Sequence, residues 1–111
     1  MAKPIKVKRG EIYDVDWGGD TGLHPALIIQ NDIGNERSSS TIVAYITNTI
    51  KDLPILVRFS DHESSLEDGG SVDLGRIMTL PKSLLRDKRG CLSSIKMPLV
   101  EKALKASLGI D

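Results

Sequence analysis

Three polar side chains, His24, Thr47 and Arg76, have the types needed for one kind of chemistry. Cleavage of RNA asks little of a protein, because the substrate brings its own nucleophile, the ribose 2′-hydroxyl. The protein has only to align that hydroxyl, accept and return protons, and neutralise charge on the phosphorus oxygens. A hydroxyl such as Thr47, an imidazole such as His24 opposite it and a nearby cation such as Arg76 meet those needs with no metal and no cofactor. Other chemistries lack their parts. His24 and His62 lie in unrelated segments among singly scattered acids, which makes no metal-ligand cluster. No Gly-x-Ser-x-Gly elbow supports a serine triad, and no Gly-Lys-Ser or Gly-Lys-Thr supports a phosphate loop.

These groups need strands to bring them together. Ala26-Leu27-Ile28-Ile29 and Thr41-Ile42-Val43-Ala44-Tyr45-Ile46 are short aliphatic or β-branched runs bounded by turn formers. That pattern predicts strands buried on both faces. Residues 30–40 between them are too polar to extend either strand and read as a wide hairpin loop. His24 opens the first ribbon and Thr47 closes the second. In an antiparallel pair those ends share one edge, so the two side chains can face one site although 23 positions separate them.

Upstream, Tyr13, Val15 and Trp17 alternate with Asp14 and Asp16, which predicts a half-buried strand. Residues 18–23 follow with three glycines, a loop able to close over a flexible ligand. Lys3, Lys6, Lys8 and Arg9 form a basic cluster that is either a solvated arm or a phosphate contact. Downstream, residues 53–59 predict an edge strand with Pro54 near its start. Residues 60–67 predict one capped helical turn in which His62 is solvated. Alternation in residues 71–79 slips at Gly75, and a bulge there would turn Arg76 toward a new face. The last segment predicts a helix, with Pro98 in its first turn, Gly109 at its end and an apolar stripe of Met97, Val100, Ala103, Leu104 and Leu108. The sum is a single, mainly β (α+β) domain over residues 1–111, a partly closed barrel of five or six strands crossed by a terminal helix.

Fifteen basic and fifteen acidic side chains balance, so nucleic-acid contact would need a local patch. One cysteine, Cys91, excludes an intramolecular disulfide. With no signal-like segment and no run near ~20 apolar residues, the expectation is a cytoplasmic protein without a membrane partner.

The chain also resembles a known family, the MazF/PemK toxins of bacterial toxin–antitoxin systems. The resemblance runs through Lys8-Arg9-Gly10-Glu11-Ile12-Tyr13, His24 to Asn35, Thr41 to Thr47, Arg76-Ile77-Met78-Thr79 and the closing Val100, Ala103, Leu104, Ser107, Leu108 and Gly109. It implies a homodimeric SH3-like barrel of the CcdB/PemK type that cleaves single-stranded RNA, without a metal, at short sequence motifs. The partners it implies are RNA, a second copy, an antitoxin whose disordered C-terminal segment docks on the toxin, and operator DNA reached through that antitoxin. It implies that the threonine at 47 is catalytic. Where the family carries its catalytic arginine this chain has His24, and where the family commonly has Gln-Ile-Arg-Thr it has Arg76-Ile77-Met78-Thr79. The glycine-rich loop with Trp17, Gly19, Thr21 and Gly22 would cover the RNA, with Trp17 either stacking on a base or packing as a rim aromatic. Asn31 and Thr79 are further candidates for polar RNA contacts.

Because arginine is always charged and histidine only when protonated, the substitution at 24 needs an explanation. One is that His24 transfers protons while Arg76 supplies the lasting charge, worth ~2–4 kcal/mol of transition-state stabilisation. Another is that His24 marks a weakened toxin retained for partner or DNA binding. A reading from a different class is a CcdB-like protein that binds and poisons DNA gyrase.

Overall fold

The computed structural model describes residues 6–111. Its strands are β1 (Glu11–Asp16), β2 (Leu23–Ile28), β3 (Ser40–Thr47), β4 (Leu56–Phe59), β5 (Gly70–Pro81) and β6 (Leu85–Cys91). Helix α1 (Asp32–Arg37) joins β2 to β3, and helix α2 (Met97–Leu108) ends the chain. All six strands form one antiparallel sheet in the order β4-β5-β3-β2-β1-β6. The edges β4 and β6 do not pair, so the sheet curls without closing.

Alternation explains why both central ribbons are apolar throughout. Leu27, Ala44 and Ile46 join Ile12, Val72 and Leu74 in a cluster that Val100 and Ala103 of α2 complete. Ala26, Ile28 and Val43 point the other way and pack with Tyr13, Val15, Leu80 and Leu85. Two cores, one on each sheet face, leave no room for a polar side chain in mid-strand. On the two central ribbons, polar chemistry is therefore confined to the strand ends.

Three local expectations are corrected. Residues 30–40 are not an open loop, since α1 occupies their middle. Asn31 caps that helix, its side-chain oxygen accepting from the Gly34 N–H at 2.8 Å. Buried Asn35 accepts from Thr41 Oγ1 at 2.7 Å and donates to the Gln30 carbonyl at 2.9 Å, and its own carbonyl accepts from Lys82 Nζ. Strand β4 starts at Leu56, because residues 53–55 turn with the Leu56 N–H bonded to the Leu53 carbonyl. On α2, Val100 and Ala103 are buried and Met97 and Leu104 pack on them, but Leu108 is exposed where the helix runs past the sheet.

The slip in β5 is present and wider than one residue. Ala44 pairs with Ile77 and Tyr45 with Asp73, so Leu74, Gly75 and Arg76 bulge between them. The Asp73 carboxylate accepts from the Gly75 N–H at 2.9 Å and pins the bulge. At the amino end, Arg9 is tied to Asp32 through its N–H at 2.7 Å and to Glu101 through its guanidinium at 3.5 Å; Lys3 lies outside the described residues. Among the described residues no helix is long and apolar enough to cross a membrane.

Candidate active site

The β2–β3 register decides where the polar ends meet. Ala26 lies opposite Tyr45 and Leu27 opposite Ala44, so two further residues along the ladder His24 faces Thr47. An open cleft of about 410 Å³ lies there, lined by His24, Tyr45, Thr47, Asn48 and Thr49.

His24, Tyr45, Thr47 and Thr49 are each held by a neighbouring group. The His24 ring stacks on the Tyr45 ring, centroids 4.4 Å apart and planes 3° from parallel. His24 Nε2 lies 2.6 Å from the Ile46 carbonyl oxygen. A carbonyl only accepts, so this nitrogen carries the hydrogen and Nδ1 is left for other partners. Thr47 Oγ1 accepts from the Thr49 N–H at 3.1 Å and lies 3.1 Å from Thr49 Oγ1, which orients the hydroxyl within a tight turn. Trp17 meets Tyr45 edge-on at 5.5 Å and donates from Nε1 to the His24 carbonyl at 3.1 Å.

Arg76 reaches the same cluster from the bulge, its Cζ 5.3 Å from the Tyr45 centroid, within cation–π range. It does not line the cleft, and its side chain is 66% exposed and 3.5 Å from Asp73 Oδ2. The bulge thus turns Arg76 to the His24 face, as the slip in alternation predicts, and rests it over the Tyr45 ring, outside the residues that line the cleft.

The β1–β2 turn begins where Trp17 leaves this cluster. Trp17 and Gly22 close it through a 2.9 Å backbone bond, and Gly18, Gly19 and Gly22 have φ of 71°, 53° and 59°, values L side chains resist. Gly19 and Thr21 are exposed at its tip. The other two candidates stand apart. Asn31 is seven residues from His24 at the opposite end of the ribbon, about 20 Å at strand rise, and its side chain is the α1 cap. Thr79 pairs with Ile42, five residues from Thr47, and alternates with Ile77 onto the sheet face that carries α2. His62 is solvent-exposed beside Asp61.

The basic side chains of β6 are engaged with β1. On β6, Arg86, Lys88 and Arg89 pair with Asp16 (2.9 Å), Glu11 (2.6 Å) and Asp14 (3.0 Å) of β1. The hydrogen bond to Glu11 raises the Lys88 pKa, and burial raises that of neighbouring Tyr13. Among the described residues no group of three or more His, Cys, Asp or Glu gathers as a metal site. Two larger depressions, of about 700 and 670 Å³, flank β4, and the first shares Asn48 with the cleft.

Tyr45 is the residue that sequence reasoning passed over. Its signal was present: in a strand, positions i and i+2 share a face, so an aromatic with a polar tip two residues before Thr47 had to sit beside it.

Comparison with known proteins gives a consistent picture. The family model for PemK-like, MazF-like toxins of type II toxin–antitoxin systems matches residues 8–108. The chain is 36% identical over 112 residues to a protein of Staphylococcus epidermidis named endoribonuclease MazF, covering 95% of this chain and 93% of that one. Among solved structures, an endoribonuclease from a mycobacterial species superposes with a TM-score of 0.83 at 26% identity, covering 96% of this chain and 94% of the other. An endoribonuclease in complex with its cognate antitoxin, also mycobacterial, superposes with the same score at 28% identity over 95% and 97%.

Proposed function

Because this chain belongs to the PemK-like, MazF-like toxin family of type II toxin–antitoxin systems, we propose that it is an endoribonuclease toxin cutting single-stranded RNA at the His24–Thr47 cleft. The observation that carries this is the meeting of residue 24 and Thr47, from ribbon ends far apart in sequence, at one open cleft inside a fold shared with endoribonucleases. The gyrase-binding alternative has no such support, since the relatives and structures it resembles are endoribonucleases.

Thr47 aligns the ribose and its 2′-hydroxyl, and His24 handles the proton. The 2′-oxygen bonds to the adjacent phosphorus, the bond to the 5′-oxygen breaks, and a 2′,3′-cyclic phosphate and a 5′-hydroxyl remain. The turn at residues 18–22 covers the strand, and Trp17 offers a face for base stacking. Lasting positive charge comes from Arg76, at longer range than a direct phosphate contact. An antitoxin partner silences the toxin, as the antitoxin complex of a relative supports. Residues 1–111 act as one cytoplasmic domain. Exposed Ile50, Leu53 and Leu99 around the 670 Å³ depression support self-association into a homodimer, and operator DNA is reached through the antitoxin.

The test is incubation of the pure protein with a long single-stranded RNA in EDTA. Fragments with defined ends are expected; intact RNA sinks the assignment. Restoring arginine at position 24 then separates a working His24 from a weakened toxin, because only the latter gains strongly.

A further inference from the structure

We infer that Tyr45 is a positioning residue: with the Ile46 carbonyl it holds the His24 imidazole in its Nε2–H form, making Nδ1 the nitrogen that accepts the 2′-hydroxyl proton. This rests on the endoribonuclease reading above.

A free imidazole turns about two side-chain bonds and exchanges its hydrogen between two nitrogens. Here both freedoms are removed. The parallel stack on Tyr45 at 4.4 Å and 3° sets the ring plane, and the 2.6 Å contact to the Ile46 oxygen sets which nitrogen is protonated. A neutral imidazole carries one hydrogen, so with Nε2 donating, Nδ1 holds the lone pair. Trp17 braces the arrangement, edge-on to Tyr45 and bonded to the His24 carbonyl. An arginine at 24 would gain nothing from a fixed tautomer, since guanidinium has donors only. The stack therefore gives position 24 a proton acceptor.

The charged and titratable groups around the imidazole are few. On β3 the neighbours are Tyr45 and the Thr47 hydroxyl. On β5, Arg76 lies over Tyr45 and is paired with Asp73. On β1, Val15 lies opposite His24, and Asp14 and Asp16 are paired with Arg89 and Arg86 of β6. No carboxylate is hydrogen-bonded to the ring among the described residues, so the Ile46 carbonyl alone selects the tautomer. In the reaction the 2′-hydroxyl proton passes to Nδ1 as the 2′-oxygen bonds to phosphorus. The departing 5′-oxygen takes a proton from water, and the imidazolium returns its own to water.

The experiment combines side-chain nitrogen NMR on uniformly ¹⁵N-labelled protein with cleavage kinetics of Tyr45→Leu, Tyr45→Phe and His24→Arg. The parent should show one neutral tautomer, with a protonated Nε2 and an unprotonated Nδ1. Tyr45→Leu should populate both tautomers and lose about 10–100-fold in kcat with little change in KM. Tyr45→Phe keeps the ring and should recover most of that loss. The rate should fall with acid in the parent and in Tyr45→Phe, and this limb should vanish in His24→Arg.

A parent imidazole that populates both tautomers while RNA is still cut overturns the positioning role and spares the nuclease reading. A single Nε2–H tautomer in a protein that leaves RNA intact overturns the nuclease reading and supports the positioning. Tyr45→Phe as damaged as Tyr45→Leu also overturns it, by making the hydroxyl rather than the stack the active feature.

Discussion

Position 24 carries an imidazole where the resemblance to the family implies a guanidinium, and the surrounding side chains decide what that costs. With Nε2 spent on the Ile46 carbonyl, the ring offers the substrate one nitrogen, suited to moving a proton rather than gripping a phosphate. His24→Arg is therefore expected to change single-turnover cleavage by less than about tenfold, since it trades a base for a charge; a gain of about 100-fold would mark a weakened toxin. Thr47 is held by the Thr49 N–H, and Thr47→Val should lower kcat by about 100-fold while the circular dichroism spectrum is unchanged. The magnitude for Arg76 falls from the sequence-based expectation. A guanidinium 66% exposed and paired with Asp73 acts through water, where such charges are worth about 1 kcal/mol or less and are screened by salt. Arg76→Met should thus cost about fivefold in kcat/KM at low salt and almost nothing at high salt. An unchanged rate at low salt removes Arg76 from the reaction.

Among the elements, α1 is a polar latch on the end of the ribbon remote from the cleft. Its hold comes from caps and buried hydrogen bonds rather than an apolar stripe, so cap loss is the sensitive test. Asn31→Ala should lower unfolding free energy by about 1 kcal/mol in urea titration. No loss would mean the cap is replaced by water. The same helix supplies an acid-sensitive contact. The Arg9 N–H, bonded at 2.7 Å, holds the Asp32 carboxyl below the usual aspartate range. A depressed folded-state pKa means the unfolded chain binds the proton more readily. The contact therefore stabilises the fold above the ordinary aspartate range and is lost as pH falls through it to the lowered folded value. The Asp32→Asn variant should be less stable than the parent at neutral pH, and the gap should narrow in urea titrations as pH is lowered through ~4 toward ~2.

At the scale of the whole molecule, the open sheet is held in its curl by a contact between the segment after β4 and the end of β6. The Ser93 N–H bonds to the Glu63 carbonyl at 2.6 Å, and Gly90 packs against residues 64 and 65. A Cβ at Gly90 would lie 2.5 Å from the Ser64 carbonyl oxygen, and its φ of 155° already disfavours a side chain. Gly90→Ala should cost about 1–3 kcal/mol, read as a lower melting temperature. An unaltered melting temperature would show that the two sheet edges need no such seam.

Strand periodicity was enough to place the two buried ribbons, the slip in β5 and the nearness of His24 to Thr47 at one end of the ribbons, because alternation and antiparallel register are local rules applied along the chain. Helix α1 was hidden, since six residues with a single large apolar side chain, Ile33, carry no helical period, and the partners Thr41 and Lys82 lie beyond the segment. The roles of Tyr45 and Arg76 were hidden for the same reason. Which ring stacks on His24, which carbonyl takes its hydrogen and where the bulge leaves the guanidinium are contacts between different strands. Residue types and spacing determined which groups could react. Only the packing of one strand against another decided which nitrogen of His24 meets the Ile46 carbonyl and that the Arg76 guanidinium rests on Tyr45.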